Sequence, residues 1–97
     1  MEKKNGRTEI AELGEFGLID RLMADVEPKN ETTLLGCGDD AAAVAAGERE
    51  AVVCTTDLLT EGVDFDLTYF PLRHLGYKAV TVGVSDILAM NARPEQL

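Results

Sequence analysis

Cations are scarce in this sequence: nine lysines and arginines stand against eighteen aspartates and glutamates, a formal net charge of −9 with the histidine neutral. A surplus of that sign repels a phosphate backbone, so nucleic acid is excluded as a partner unless metal ions intervene, and no basic patch offsets it. His74 is the one histidine, and Cys37 and Cys54 are the two cysteines. The cysteines form no close-spaced motif and have no histidine beside them in sequence, which speaks against a thiol nucleophile and calls for no disulfide; a reduced compartment follows. Met1-Glu2-Lys3-Lys4-Asn5-Gly6 lacks the apolar core of a signal peptide, and no apolar run approaches the length of a membrane span. The expectation is a soluble cytoplasmic protein that does not engage the membrane. Also missing is the glycine-rich loop ending in Lys-Ser or Lys-Thr that marks P-loop enzymes, so any nucleotide must be held in another way. No internal repeat or low-complexity tract is present.

The 97 residues, 45% of them hydrophobic, suit one small α/β domain with a modest core. Residues 1–8 are polar and expected to be loose. From Leu13 the apolar residues Phe16, Ile19, Leu22, Met23 and Val26 recur at spacings of three and four, which predicts an amphipathic helix closed by Pro28 and Asn30. Short strands are expected over residues 32–35 and 41–46, the second open to a helical alternative because it is mostly alanine. Gly47-Glu48-Arg49-Glu50 then reads as the turn of a hairpin into the clearest strand, residues 51–56. Residues 58–69 have the composition of a functional loop. Pro71 is placed to open a second helix, with Thr68 as a candidate cap, running to about Met90 ahead of Arg93-Pro94.

The acids are oddly placed. Gly36-Cys37-Gly38-Asp39-Asp40 sets two carboxylates on a turn whose glycines let a bulky ligand approach the main chain. Asp57 follows the strand that ends in Thr55-Thr56, and Asp86 sits on an apolar helical stripe with Leu75, Ala79, Val82, Ala89 and Met90. A carboxylate on such a face implies a partner: an arginine, a backbone cap or a metal ion. Asp40, Thr55, Thr56, Asp57 and Asp86 would together supply the hard oxygens that magnesium takes, and a polyphosphate such as ATP could bind through the metal. Singly, each also fits a solvated turn, a strand end or a structural ion pair. His74, Arg73 and Lys78 read as solvated helix-flank residues. The second helix, apolar on most of its circumference, should be central or buried in an interface.

In order, Leu13-Gly14-Glu15-Phe16-Gly17-Leu18-Ile19, then Gly36 to Ala42, then Thr55-Thr56-Asp57-Leu58-Leu59-Thr60-Glu61-Gly62-Val63-Asp64-Phe65, Gly76-Tyr77-Lys78-Ala79 and Ser85-Asp86-Ile87-Leu88-Ala89-Met90 resemble the amino-terminal half of the thiamine-monophosphate kinase family. The resemblance implies the amino-terminal domain of the superfamily that includes aminoimidazole ribonucleotide synthetase: a small mixed sheet with packed helices, completed by pairing of two copies in a homodimer. It implies direct in-line phosphorylation of thiamine monophosphate by ATP, giving thiamine diphosphate. Asp40, Thr55, Thr56, Asp57 and Asp86 match magnesium ligands of that family. Residues 1–97 would then be a partial ATP- and magnesium-binding domain, lacking the carboxy-terminal domain and inactive alone.

Two positions depart from the pattern. Asp64 stands where the family usually has a histidine that contacts substrate, and Gly83 where asparagine is common before the Ser-Asp pair. The competing readings are an ATP-using enzyme of the same superfamily with another substrate, and a non-catalytic dimerisation module.

Overall fold

The computed structural model describes residues 6–97, which form α1 (Ile10–Met23), β1 (Thr33–Leu35), β2 (Ala42–Ala45), β3 (Ala51–Cys54) and α2 (Leu72–Ala89). Of the stretch expected to be loose, residues 1–5 lie outside the described residues, while residues 6–8 are exposed and outside any helix or strand.

The three strands lie in the order β1-β2-β3. The alanine-rich segment is a strand rather than a helix because it is the central one: its backbone pairs with β1 on one side and with β3 on the other, in the register Ala42↔Cys54 to Ala45↔Ala51. Both pairings are antiparallel, so the expected mixed sheet is not formed; short turns join neighbouring strands and no crossover helix intervenes. The anticipated hairpin is present, closed by Ala46 N–H donating to the Glu50 carbonyl at 2.9 Å. β3 ends at Cys54, so Thr55 and Thr56 run past the ladder instead of belonging to it.

α1 begins earlier than its apolar spacing indicates and stops at Met23, leaving Val26 outside. Gly14, at φ 69° and ψ −176°, breaks the helix in two, a conformation that residues with a Cβ resist. The expected stripe is only partly covered: Ile19 and Met23 are half-buried, while Phe16 and Leu22 are 55% and 69% exposed.

In α2, Pro71 is the extended residue just before the helix rather than its first turn, and no side chain caps it. Thr68 does not serve because it lies three residues before Pro71, which holds the cap position; its amide and hydroxyl both donate to Asp66 Oδ1, at 2.9 and 2.7 Å. The stop is sharper than proline alone would give. Asn91 adopts φ 55°, its N–H donates to the Leu88 carbonyl and that of Ala92 to Ile87, the paired bonds of a Schellman ending.

The helices do not cover the sheet as layers. Ala41, 5% exposed, is the one buried apolar residue among those described. The chain measures 54 × 46 × 18 Å with a radius of gyration of 17.9 Å, against about 13 Å for a compact domain of similar length. Tyr77, Val80 and Leu88 on α2 stand open to solvent. No described helix is long and apolar enough to cross a membrane.

Candidate functional site

The sheet, the glycine turn and α2 meet at one side chain. Thr55, just beyond β3 and half-buried, directs its hydroxyl to two acceptors: the Asp40 main-chain carbonyl at 3.1 Å and Asp86 Oδ2 at 3.4 Å. A hydroxyl carries one proton, so the two oxygens share it. The β2–β3 pairing brings Ala42 beside Cys54, and this register carries the turn ending at Asp40 to the foot of β3. Gly38, at φ 122°, gives the turn a bend that L side chains rarely adopt.

Asp57 and Asp86 face one another. Partial loss of water raises the Asp57 carboxyl above its ordinary value, and the hydrogen bond it shares with Asp86 and the Asp86 negative charge raise it further. Two carboxylates set against one another are a site short of positive charge. Among the described residues no lysine or arginine pairs with Asp86, so the ion-pair alternative does not hold; the ion pair described is Arg93 with Glu95.

The structure treats the two acids of the glycine turn differently. Asp39 Oδ1 accepts the Asp40 N–H at 2.8 Å and is spent on the turn. Asp40 is exposed, and its carboxylate accepts no hydrogen bond from the described residues. Its main-chain oxygen reaches the junction. Thr56, exposed, lines an open cleft of about 420 Å³ with Thr55, Cys37, Gly38, Ile19 and Met23. Among the described residues, no three histidine, cysteine, aspartate or glutamate side chains converge closely enough to hold a metal ion by themselves. The protein's own contribution is therefore the Asp57–Asp86 pair with the Thr55 hydroxyl beside it, and the Asp40 carboxylate stands apart from that pair. This donor set fits magnesium, which takes one or two carboxylates and completes its shell with water and phosphate oxygens.

Asp64 lies elsewhere, in the loop that leaves this junction. Its Oδ2 accepts the Thr60 N–H at 2.7 Å, its own N–H donates to the Thr60 carbonyl at 2.9 Å, and its carbonyl accepts from Lys78 Nζ. Lys78 is thus half-buried and engaged, contrary to its reading as a solvated flank residue: the loop folds back over α2 and brings a carbonyl to it. The spacing of Thr60 and Asp64 around Gly62 was the sequence signal for this closed turn. His74 is exposed and meets Phe70 edge to face, with ring centroids 6.1 Å apart.

Residues 38–97 match the family described as AIR synthase related protein, N-terminal domain, and the chain belongs to that family. The particular relatives agree with one another. A thiamine-monophosphate kinase of Mycobacterium tuberculosis is 43% identical over 84 residues, 87% of this chain and 25% of that protein. One of Aquifex aeolicus is 41% identical over 86 residues, 89% of this chain and 26% of its own length, and one of Escherichia coli K12 is 38% identical over 84 residues, 87% and 26%. The chain thus spans about a quarter of the length of these relatives, where its motifs suggested half. No solved structure matches it.

Proposed function

We propose that the chain is the amino-terminal, ATP- and magnesium-binding part of an enzyme that phosphorylates thiamine monophosphate to thiamine diphosphate in the cytoplasm. The observation that carries this reading is the junction at Thr55, where its hydroxyl meets Asp86 and the Asp57 and Asp86 carboxylates face one another beside the glycine turn, in a chain whose relatives bear that kinase name. Asp57, Asp86 and the Thr55 hydroxyl are the residues that would hold magnesium directly, and Asp40 and Thr56, which border the junction, would reach it through waters that the ion retains. Bound there, the metal would neutralise charge on the polyphosphate.

The chain's own residues supply positioning, which is most of what in-line phosphoryl transfer asks of a protein. Thr55 ties the turn to α2 and so sets the spacing between Asp40 and Asp86. Gly38 leaves space on the turn, with nothing within 4 Å of where a Cβ would sit. The loop carrying Asp64 is the substrate-facing element in this reading. No covalent enzyme intermediate is required.

A homodimer is part of the proposal. The open faces of a slab 18 Å thick and the exposed Tyr77, Val80 and Leu88 are the surface that a second copy would cover. Residues 1–97 alone are expected to turn over little or no substrate.

The test is an assay of the complete protein with ATP, magnesium and thiamine monophosphate, beside the same assay with aminoimidazole precursors. Magnesium-dependent formation of thiamine diphosphate is expected. Turnover of the precursors alone would favour the sister enzyme, and no magnesium or nucleotide binding would leave a dimerisation module.

A further inference from the structure

We infer that Asp64 is a positioning residue: with Lys78 it forms a clasp that pins the loop of residues 60–65 to α2, and its carboxylate works inside the loop rather than on a ligand. One carboxylate oxygen, the N–H and the carbonyl of Asp64 are engaged, the first two by Thr60 and the carbonyl by Lys78. The turn is closed further by Gly62 N–H donating to the Phe65 carbonyl at 2.7 Å and by the Glu61–Phe65 bridge. The Oδ2 that accepts the Thr60 N–H has exchanged a water for a main-chain partner, and turning the carboxylate toward a substrate would sacrifice that bond.

The position of the clasp gives it reach. Among the described residues, the side-chain hydrogen bonds that join α2 to the rest of the chain are at Lys78 and at Asp86. The two residues lie eight apart on one helix, about 12 Å along its axis. On the other side, Asp57 is separated from Thr60 by two residues. A closed ring results: Asp57 leads along the chain to Thr60, Thr60 is bonded to Asp64, Asp64 to Lys78, Lys78 runs down the helix to Asp86, and Asp86 returns to Asp57. Opening it at Asp64 or Lys78 leaves the meeting of α2 and the sheet to depend on two mutually repelling acids and one shared hydroxyl.

Amide hydrogen exchange on the complete protein tests the clasp without any ligand. Asp64→Asn keeps an oxygen for Thr60 and removes the charge; Asp64→Ala removes both. Exchange at the Thr60 amide is expected to rise by at least about tenfold in the alanine variant and to stay within about threefold of wild type in the asparagine variant. Lys78→Met, which retains the apolar stem but no donor, is expected to speed exchange across residues 60–65 by about threefold or more, and it serves as the second arm should Asp64→Ala not fold. An unchanged Thr60 amide in Asp64→Ala, equal loss in the two Asp64 variants, or an unaffected loop in Lys78→Met each overturns the clasp. The kinetic arm rests on the kinase reading: asparagine should keep kcat/KM within about threefold while alanine loses about tenfold, chiefly in KM. Asparagine falling as far as alanine would show that the charge itself meets the substrate and would overturn the inference. Absence of turnover in wild type would sink the kinase reading and leave the exchange result standing.

Discussion

Asp64 and Asp86 both sit where α2 meets another element, yet they are used in opposite ways. Asp64 is answered by the Thr60 N–H on its own loop and by Lys78 at its carbonyl. Asp86 is answered by another acid and by part of one hydroxyl proton. The first arrangement pairs the acid with donors, so it stabilises. The second sets like charges together with no lysine or arginine beside them among the described residues, which is why the proposed reading gives it a cation.

The hardest blow to this contrast would come from Asp86→Ala in the complete enzyme. Loss of thiamine diphosphate formation by on the order of 10²–10³-fold is expected, with thermal stability unchanged or raised because the facing acid is relieved. A variant that unfolds while its surviving fraction keeps full activity would make Asp86 structural after all.

A smaller effect concerns pH. Folding raises the Asp57 carboxyl above its ordinary 3.8, so the native state holds the proton more tightly than the unfolded chain. Its stabilising contribution is complete below 3.8 and is lost as pH climbs through the raised value. Asp66 runs the other way: hydrogen bonds from Thr68 hold its carboxyl below the ordinary value, and its contribution is lost as pH falls. Because Asp66 contributes equally to both proteins, the thermal stability of wild type relative to Asp57→Asn should fall as pH rises through this range without magnesium. Magnesium should abolish that relative fall. Parallel pH profiles for the two proteins would assign no pH dependence to Asp57.

The mildest change sharpens the contrast by leaving both acids alone. Gly83 is helical, and a Cβ there would meet Leu97 Cδ2 at 4.0 Å, an ordinary contact. Gly83→Ala should stabilise by about 1 kcal/mol in chemical unfolding with kcat unchanged. A loss of activity would mean that Asp86 needs the helix to yield at that point.

Much of this was legible in the residues because it was written in local chemistry. The hairpin turn, a strand begun at Ala51 and a helix opened near Pro71 follow from glycine, alanine–valine runs and proline, though the strand stops two residues short of the expected Thr56. What failed to show was backbone conformation and whatever depended on a partner distant in sequence. The break in α1 at Gly14 leaves no trace in hydrophobic spacing. Thr68 bonds to Asp66, two residues back, while the helix starts beyond Pro71. Lys78 looked solvated because the carbonyl that receives it lies fourteen residues earlier. At the site itself, residue types marked Asp57 and Asp86 as acids in want of a counter-charge, but only the fold reveals that Asp40 meets the Thr55 hydroxyl through its main chain, while Asp39 is bonded to the Asp40 N–H.

The Thr55 hydroxyl has one hydrogen and two claimants, 3.1 and 3.4 Å away. A cation that took up Asp86 Oδ2 would leave that hydrogen to the Asp40 carbonyl alone, so the same hydroxyl that now divides itself between helix and turn would belong wholly to the turn.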